Sequence, residues 1–178
     1  MLKKTIILFV ISLIFTLAFS ACSSESGLGT SDREIADKKF DEVIDAIKNG
    51  DKDRLSSLFS KNAINGAENF DESVDELLDY VQGDIESYSD WSGALTVDRS
   101  SEEDEVVEII EASYEVKTSE GDYRFAIVFF TSNTTEQNDV GIWSLYVIRK
   151  TEDTNPSYAY WGDGKNTPGI NVDVKNEI

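Results

Sequence analysis

The sequence predicts an α+β fold: three N-terminal helices, then an antiparallel sheet. Three observations carry this. Between residues 31 and 83 apolar residues recur at helical spacing. Beyond Gly83 the apolar period drops to two. Between 123 and 149 two stretches are apolar at successive positions, as strands covered on both faces are.

The first helix opens at Ser31-Asp32-Arg33-Glu34, which has the spacing of a capping box. Ala36, Phe40, Val43, Ile44 and Ile47 form its stripe, and Asn49-Gly50 ends it. A short second helix starts near Asp51, with Leu55, Leu58 and Phe59 apolar. A loop through Asn65-Gly66 leads to a third helix from about Asp71, carrying Val74, Leu77, Leu78 and Val81, with Gly83 as its stop.

A first, weaker strand lies within 85–97, using Ile85, Tyr88, Trp91, Leu95 and Val97. Ser100 to Glu105 reads as an acidic loop. Ile110, Ala112, Tyr114, Val116 and Thr118 then alternate with Glu111, Ser113, Glu115 and Lys117, a half-buried strand. Glu120-Gly121 is the hairpin turn, with Gly121 a candidate for positive φ. Tyr123–Thr131 returns as a central strand, Ser132–Asp139 is a polar loop, and Val140–Arg149 is the next strand. From about residue 151 a tail holds both prolines and the ring cluster Tyr158, Tyr160 and Trp161, which is expected to pack rather than stand in water.

The leader is a separate matter. Lys3 and Lys4 precede an apolar run, Thr5 to Phe19, followed by Ser20, Ala21 and Cys22. A positive start, an apolar core too short for a comfortable membrane span and small exit residues predict a secretory signal peptide over 1–21. Leu17-Ala18-Phe19-Ser20-Ala21-Cys22 resembles the lipobox of bacterial lipoproteins, with Phe19 where that family usually has Leu. The resemblance implies a diacylglyceryl group on the Cys22 thiol, fatty acyl chains such as palmitate, and cleavage just before Cys22. Two acyl chains hold a protein on a membrane stably where one does not. The expected location is the cell membrane, lipid-anchored and facing the extracytoplasmic side. Residues 22–31 then serve as a lipidated flexible tether, and 32–178 as a single α+β domain of about 147 residues.

Composition removes several chemistries. The chain has 178 residues, 1 Cys and no His. No Ser-His-Asp or Cys-His pair can form within it, nor an internal disulfide or a usual zinc site. With 16 basic and 35 acidic residues the formal charge is −19. Without residues 1–21, which carry Lys3 and Lys4 and no acid, 14 basic residues face 35 acidic ones, or −21. Nucleic-acid binding, which rests on Lys and Arg, is not expected.

Helices followed by a curved antiparallel sheet resemble the nuclear-transport-factor-2-like, cone-shaped fold. More narrowly, the chain is similar to an uncharacterised domain family found on Gram-positive lipoproteins. The matching stretches are Asn49-Gly50-Asp51 with Leu58-Phe59-Ser60, Gly121–Phe130, Val140–Val147, Trp161-Gly162 and Pro168-Gly169-Ile170. The family implies a fold and a location, and no catalytic residue.

In such a cone Tyr114, Tyr123, Phe125, Trp143 and Tyr146 are the candidate pocket-lining residues, with core packing the reading preferred. Acid-base chemistry would need a carboxylate beside a phenol, for which Asp79, Glu111 or Asp122 with Tyr80, Tyr114 or Tyr123 are on offer. The acidic stretches Ser100–Glu105 and Asp163–Asn166 lack the ligand spacing of a calcium loop, and no phosphate cradle is present, so neither metal nor cofactor is expected. The expected role is a non-catalytic binding module for a small apolar molecule in the cone or an envelope protein on the outer sheet face. The alternative is a cofactor-free acid-base enzyme, isomerase- or dehydratase-like.

Overall fold

A computed structural model describes residues 31–102 and 105–175. The expected signal peptide (1–21), Cys22 and nearly all of the expected tether (22–31) lie outside the described residues. Four helices pack on a five-stranded open sheet. The helices are α1 (Asp32–Asn49), α2 (Lys52–Ser57), α3 (Lys61–Gly66) and α4 (Phe70–Tyr80). The strands are β1 (Ile85–Glu102), β2 (Glu105–Thr118), β3 (Gly121–Asn133), β4 (Gly141–Arg149) and β5 (Gly169–Val172). They lie in that order across the sheet.

Helix ends follow local chemistry. The Ser31 hydroxyl accepts from the Glu34 N–H (3.2 Å), while the Ser31 N–H donates to the Glu34 carboxylate (2.8 Å), closing the expected capping box. Gly50 ends α1 in the left-handed region (φ 58°), which lets its N–H and that of Asp51 reach back to the last turn. Asp51 caps α2 and Ser60 caps α3. The α3 turn falls where a loop is expected: six residues with only Ala63 and Ile64 apolar cannot show a helical period. Helix α4 ends at Tyr80, earlier than Gly83. Gly83 instead lies against the β2–β3 turn, where a Cβ would stand 2.7 Å from the Ser119 hydroxyl.

The sheet departs from the expected antiparallel form at one edge. Strands β1 to β4 are antiparallel, but β5 runs parallel to β4, pairing Gly169–Val172 with Ser144–Val147. The chain reaches that edge because residues 150–168 cross the sheet's outer face first, a path no local pattern announces. Strands β1 and β2 extend through the expected acidic loop, with Glu102 paired to Glu105 and Arg99 bonded across the ladder to Glu108 (3.0 Å). Gly121 does not take positive φ. The turn residues are Ser119 and Glu120, and the Thr118 hydroxyl accepts from the N–H groups of Glu120 and Gly121.

The main core lies between the helices and the inner sheet face. Phe40 of α1 is its centre, stacked on Tyr114 (ring centroids 3.9 Å, planes 3° apart) and edge-on to Phe125 and Tyr88. Phe40 is fully buried. Phe40→Ala is expected to lower unfolding free energy by about 3–5 kcal/mol, seen as a lower urea midpoint at unchanged m-value. A midpoint within error of wild type would show that Phe40 is not central.

Candidate functional site

The inner face has no open cone at its centre. Tyr114, Tyr123 and Phe125 are all fully buried in the main core. The pairings Tyr114–Phe125 and Val116–Tyr123 put them on one face. Their polar ends are satisfied at the margins. The Tyr114 hydroxyl donates to Asp37 (3.0 Å). The Tyr123 hydroxyl donates to the Tyr80 carbonyl and accepts from the Gln82 N–H, both at 3.0 Å. An open groove of about 430 Å³ lies at one end of the sheet, walled by Ile35, Leu58, Phe130 and Val140, with Lys39 at its edge. Lys39 is already bonded to Glu42 (2.7 Å).

Of the other two candidates, Tyr146 lies in a separate cluster, while Trp143 is half-buried and packs at the edge of the main core. Ala126 pairs with Tyr146 and Phe125 with Val147, so Tyr146 points to the outer face. Trp143 sits at a bulge, the extra residue between Ile142 and Ser144 opposite Val128 and Phe129. The five rings therefore do not share one pocket. Since β3 and β4 are apolar on both sides, their sequence carries no sign of which parity faces in.

Residues 150–168 cover the outer face as a flap. Its deepest member is Tyr160, fully buried against Ala126, Tyr146 and Ile148 in a cluster separate from the main core. Trp161 is half-buried, while Tyr158 is 68% exposed, so only part of the expected ring cluster packs. Arg124 of β3 and Asp153 of the flap form an ion pair with side chains 2% and 0% exposed. The Arg124 guanidinium also lies over the Trp91 ring, 3.8 Å from its centroid. Trp91 reaches this face because β1 is bulged between Asp90 and Leu95.

Four further hydrogen bonds from sheet to flap end on the flap's main chain, beside side-chain contacts from Glu115 to Lys150 and from Glu111 to Asn166. Ser113 Oγ donates to the Tyr160 carbonyl. Trp143 Nε1 donates to the Asn166 carbonyl (2.8 Å), and Ser144 Oγ to that of Thr167 (2.7 Å). The Tyr146 hydroxyl accepts from the Thr167 N–H (2.5 Å) and donates to Asp163 (2.8 Å). Gly162 lies directly on the Tyr146 ring, where a Cβ would overlap it. Asp163 is held below the usual carboxylate range: burial pushes it up, but the Lys165 N–H and the Tyr146 and Thr167 hydroxyls outweigh that.

None of the carboxylate–phenol pairs suggested by the sequence is formed. Tyr114 meets Asp37, Tyr88 meets Asp41, and Glu111 accepts from Asn166. Residues that sequence reasoning passed over are Asp37, Arg124 and Asp153. The signal for Arg124 was available: it is a charge inside an otherwise apolar central strand, and a buried charge needs a partner. Among the described residues no cluster of three His, Cys, Asp or Glu is placed to hold a metal ion, and no helix is long and apolar enough to cross a membrane.

The buried phenols make the fold alkali-sensitive. Tyr146 is pushed up to about 12, chiefly by burial. Burial also raises Tyr114 and Tyr160. A phenol raised above its unfolded value of about 10 stabilises fully below that pH and loses this as pH climbs through the folded value. The urea midpoint is expected to fall between pH 10 and 12, and less steeply in Tyr146→Phe. An unchanged midpoint across that window would show that these hydroxyls are not buried in solution.

No curated protein matches the sequence. The family match spans residues 42–150, from α1 through β4, and stops where the flap begins. The chain belongs to the DUF5104 family, described as a domain of unknown function.

Proposed function

We propose that this chain is a lipid-anchored, extracytoplasmic interaction module whose working surface is the outer face of the sheet, and that it is not catalytic. The observation that carries the reading is the filled interior. Phe40, stacked on Tyr114, occupies the space a substrate or apolar ligand would need between helices and sheet. The outer face, by contrast, presents hydroxyls, an indole N–H and a buried guanidinium to a polypeptide already lying on it. The anchoring part rests on the lipobox-like Leu17–Cys22 and the basic, apolar leader before it. We also assign the helices-then-sheet arrangement to the nuclear-transport-factor-2-like folds, supported by element order and by the packing of α1 on the inner face.

A small apolar molecule is a second reading, favoured by the groove walled by Ile35, Leu58, Phe130 and Val140. The acid-base alternative draws no support from the site: Asp37, the carboxylate bonded to Tyr114, meets a phenol that is stacked on Phe40 rather than open to a pocket.

Cys22→Ala, expressed in a Gram-positive host, tests the anchoring. The wild-type protein is expected to sediment with membranes and to take up labelled fatty acid. The variant is expected to appear in the soluble extracytoplasmic fraction without label. A variant that stays with the membrane, or a wild type that takes up no label, would overturn it.

A further inference from the structure

We infer that the outer sheet face is a peptide-binding face held closed by the chain's own residues 150–168, and that its partner in trans is an extended segment presenting a carboxylate with a tyrosine seven residues further on. The inference deepens the interaction-module reading and rests on it. Strands β2 and β4 address the flap through its backbone: the carbonyls of Tyr160, Asn166 and Thr167 and the N–H of Thr167 are all taken by sheet side chains. Main-chain contacts of this kind accept many sequences and supply affinity, while side-chain pockets supply specificity.

Two flap side chains fill such pockets. Asp153 meets Arg124, and Tyr160 enters the cluster of Ala126, Tyr146 and Ile148. Arg124 sets the charge of the occupant. A guanidinium buried between a sheet and a covering segment needs a carboxylate there. Asp153 supplies it in cis, and a competing segment has to bring its own.

The flap can lift without opening the core. Its two anchors are joined by exposed residues, Thr154, Pro156, Ser157 and Tyr158, and Gly164 and Lys165 are exposed beyond them. The Tyr160 cluster is separate from the main core, whereas Ile170 of β5 belongs to the main core. Lifting residues 150–168 therefore leaves β5 docked and the helix–sheet core closed. The family match, which ends at 150, includes every strand residue that builds the face and, of the flap, only Lys150.

The test uses the full chain and a labelled synthetic peptide of residues 151–168. Asp153→Asn weakens the cis contact, and Tyr160→Ala weakens it without disturbing the ion pair. Both variants are expected to bind the peptide at least about tenfold more tightly than wild type, about 1.4 kcal/mol, with Arg124→Met abolishing the gain when added to either. In hydrogen exchange, Asp153→Asn is expected to speed the Thr167 amide, fourteen residues away, about as much as those near residue 153, with β3 amides unchanged. Two results would overturn the inference: no peptide binding by either variant while its β3 amides stay protected, or binding that Arg124→Met leaves intact. Acceleration confined to the neighbourhood of residue 153, or shared by β3, would show that the flap is not a separable unit. Neither outcome bears on acylation at Cys22, so failure here and failure of the anchoring claim are distinguishable.

Discussion

The structure is governed by a sheet whose central strands are apolar on both sides. In β3, every residue from Tyr123 to Phe129 is buried, and in β4 every residue from Ser144 to Ile148 is buried. Such strands cannot leave one face in water, because each exposed large side chain forfeits about 1.5–3 kcal/mol of burial. One face takes the helices, through Phe40, Val43 and Leu77. Among the described residues, no second layer of helices or strands covers the other face. An irregular segment takes that place and satisfies its own backbone by borrowing hydroxyls and an indole N–H from the sheet beneath. That is why Ser113 and Ser144 stand buried in positions where apolar residues would be expected.

How much of this could be read from the sequence follows from the range of each interaction. The capping box at Ser31, the Gly50 stop, the inward parity of Ile110, Ala112, Tyr114 and Val116 in β2 and the central position of β3 are local or periodic features, and the structure has them as expected, although Ser113 on the expected wet face of β2 is buried. Features set by distant parts of the chain were not legible. The parallel pairing of β5 depends on where a nineteen-residue crossing ends. The outward turn of Tyr146 depends on registering β4 against β3, and apolar residues on both parities remove that signal. The bulge at Trp143 is likewise set by pairing with β3 and has no local signal. The Arg124–Asp153 pair joins residues 29 apart along the chain, and among 35 acids no pattern singled out Asp153.

The same physics shapes the functional reading. A ring stack at the centre of the helix–sheet interface makes the inner side a core, so the proposed interaction role falls to the outer face. A strong net negative charge repels anionic surfaces. Against that background the Arg124 guanidinium on the outer face is buried and paired with the covering segment through Asp153.

The account stands or falls on whether residues 150–168 occupy the outer face in solution. Nuclear Overhauser contacts in the full-length protein decide this directly. The structure requires cross-peaks from the Tyr160 ring protons to the methyls of Ala126 and Ile148, alongside those between Phe40 and Tyr114. Core cross-peaks present with the Tyr160 set absent would contradict it, leaving a bare sheet face and a different explanation for its buried serines and arginine.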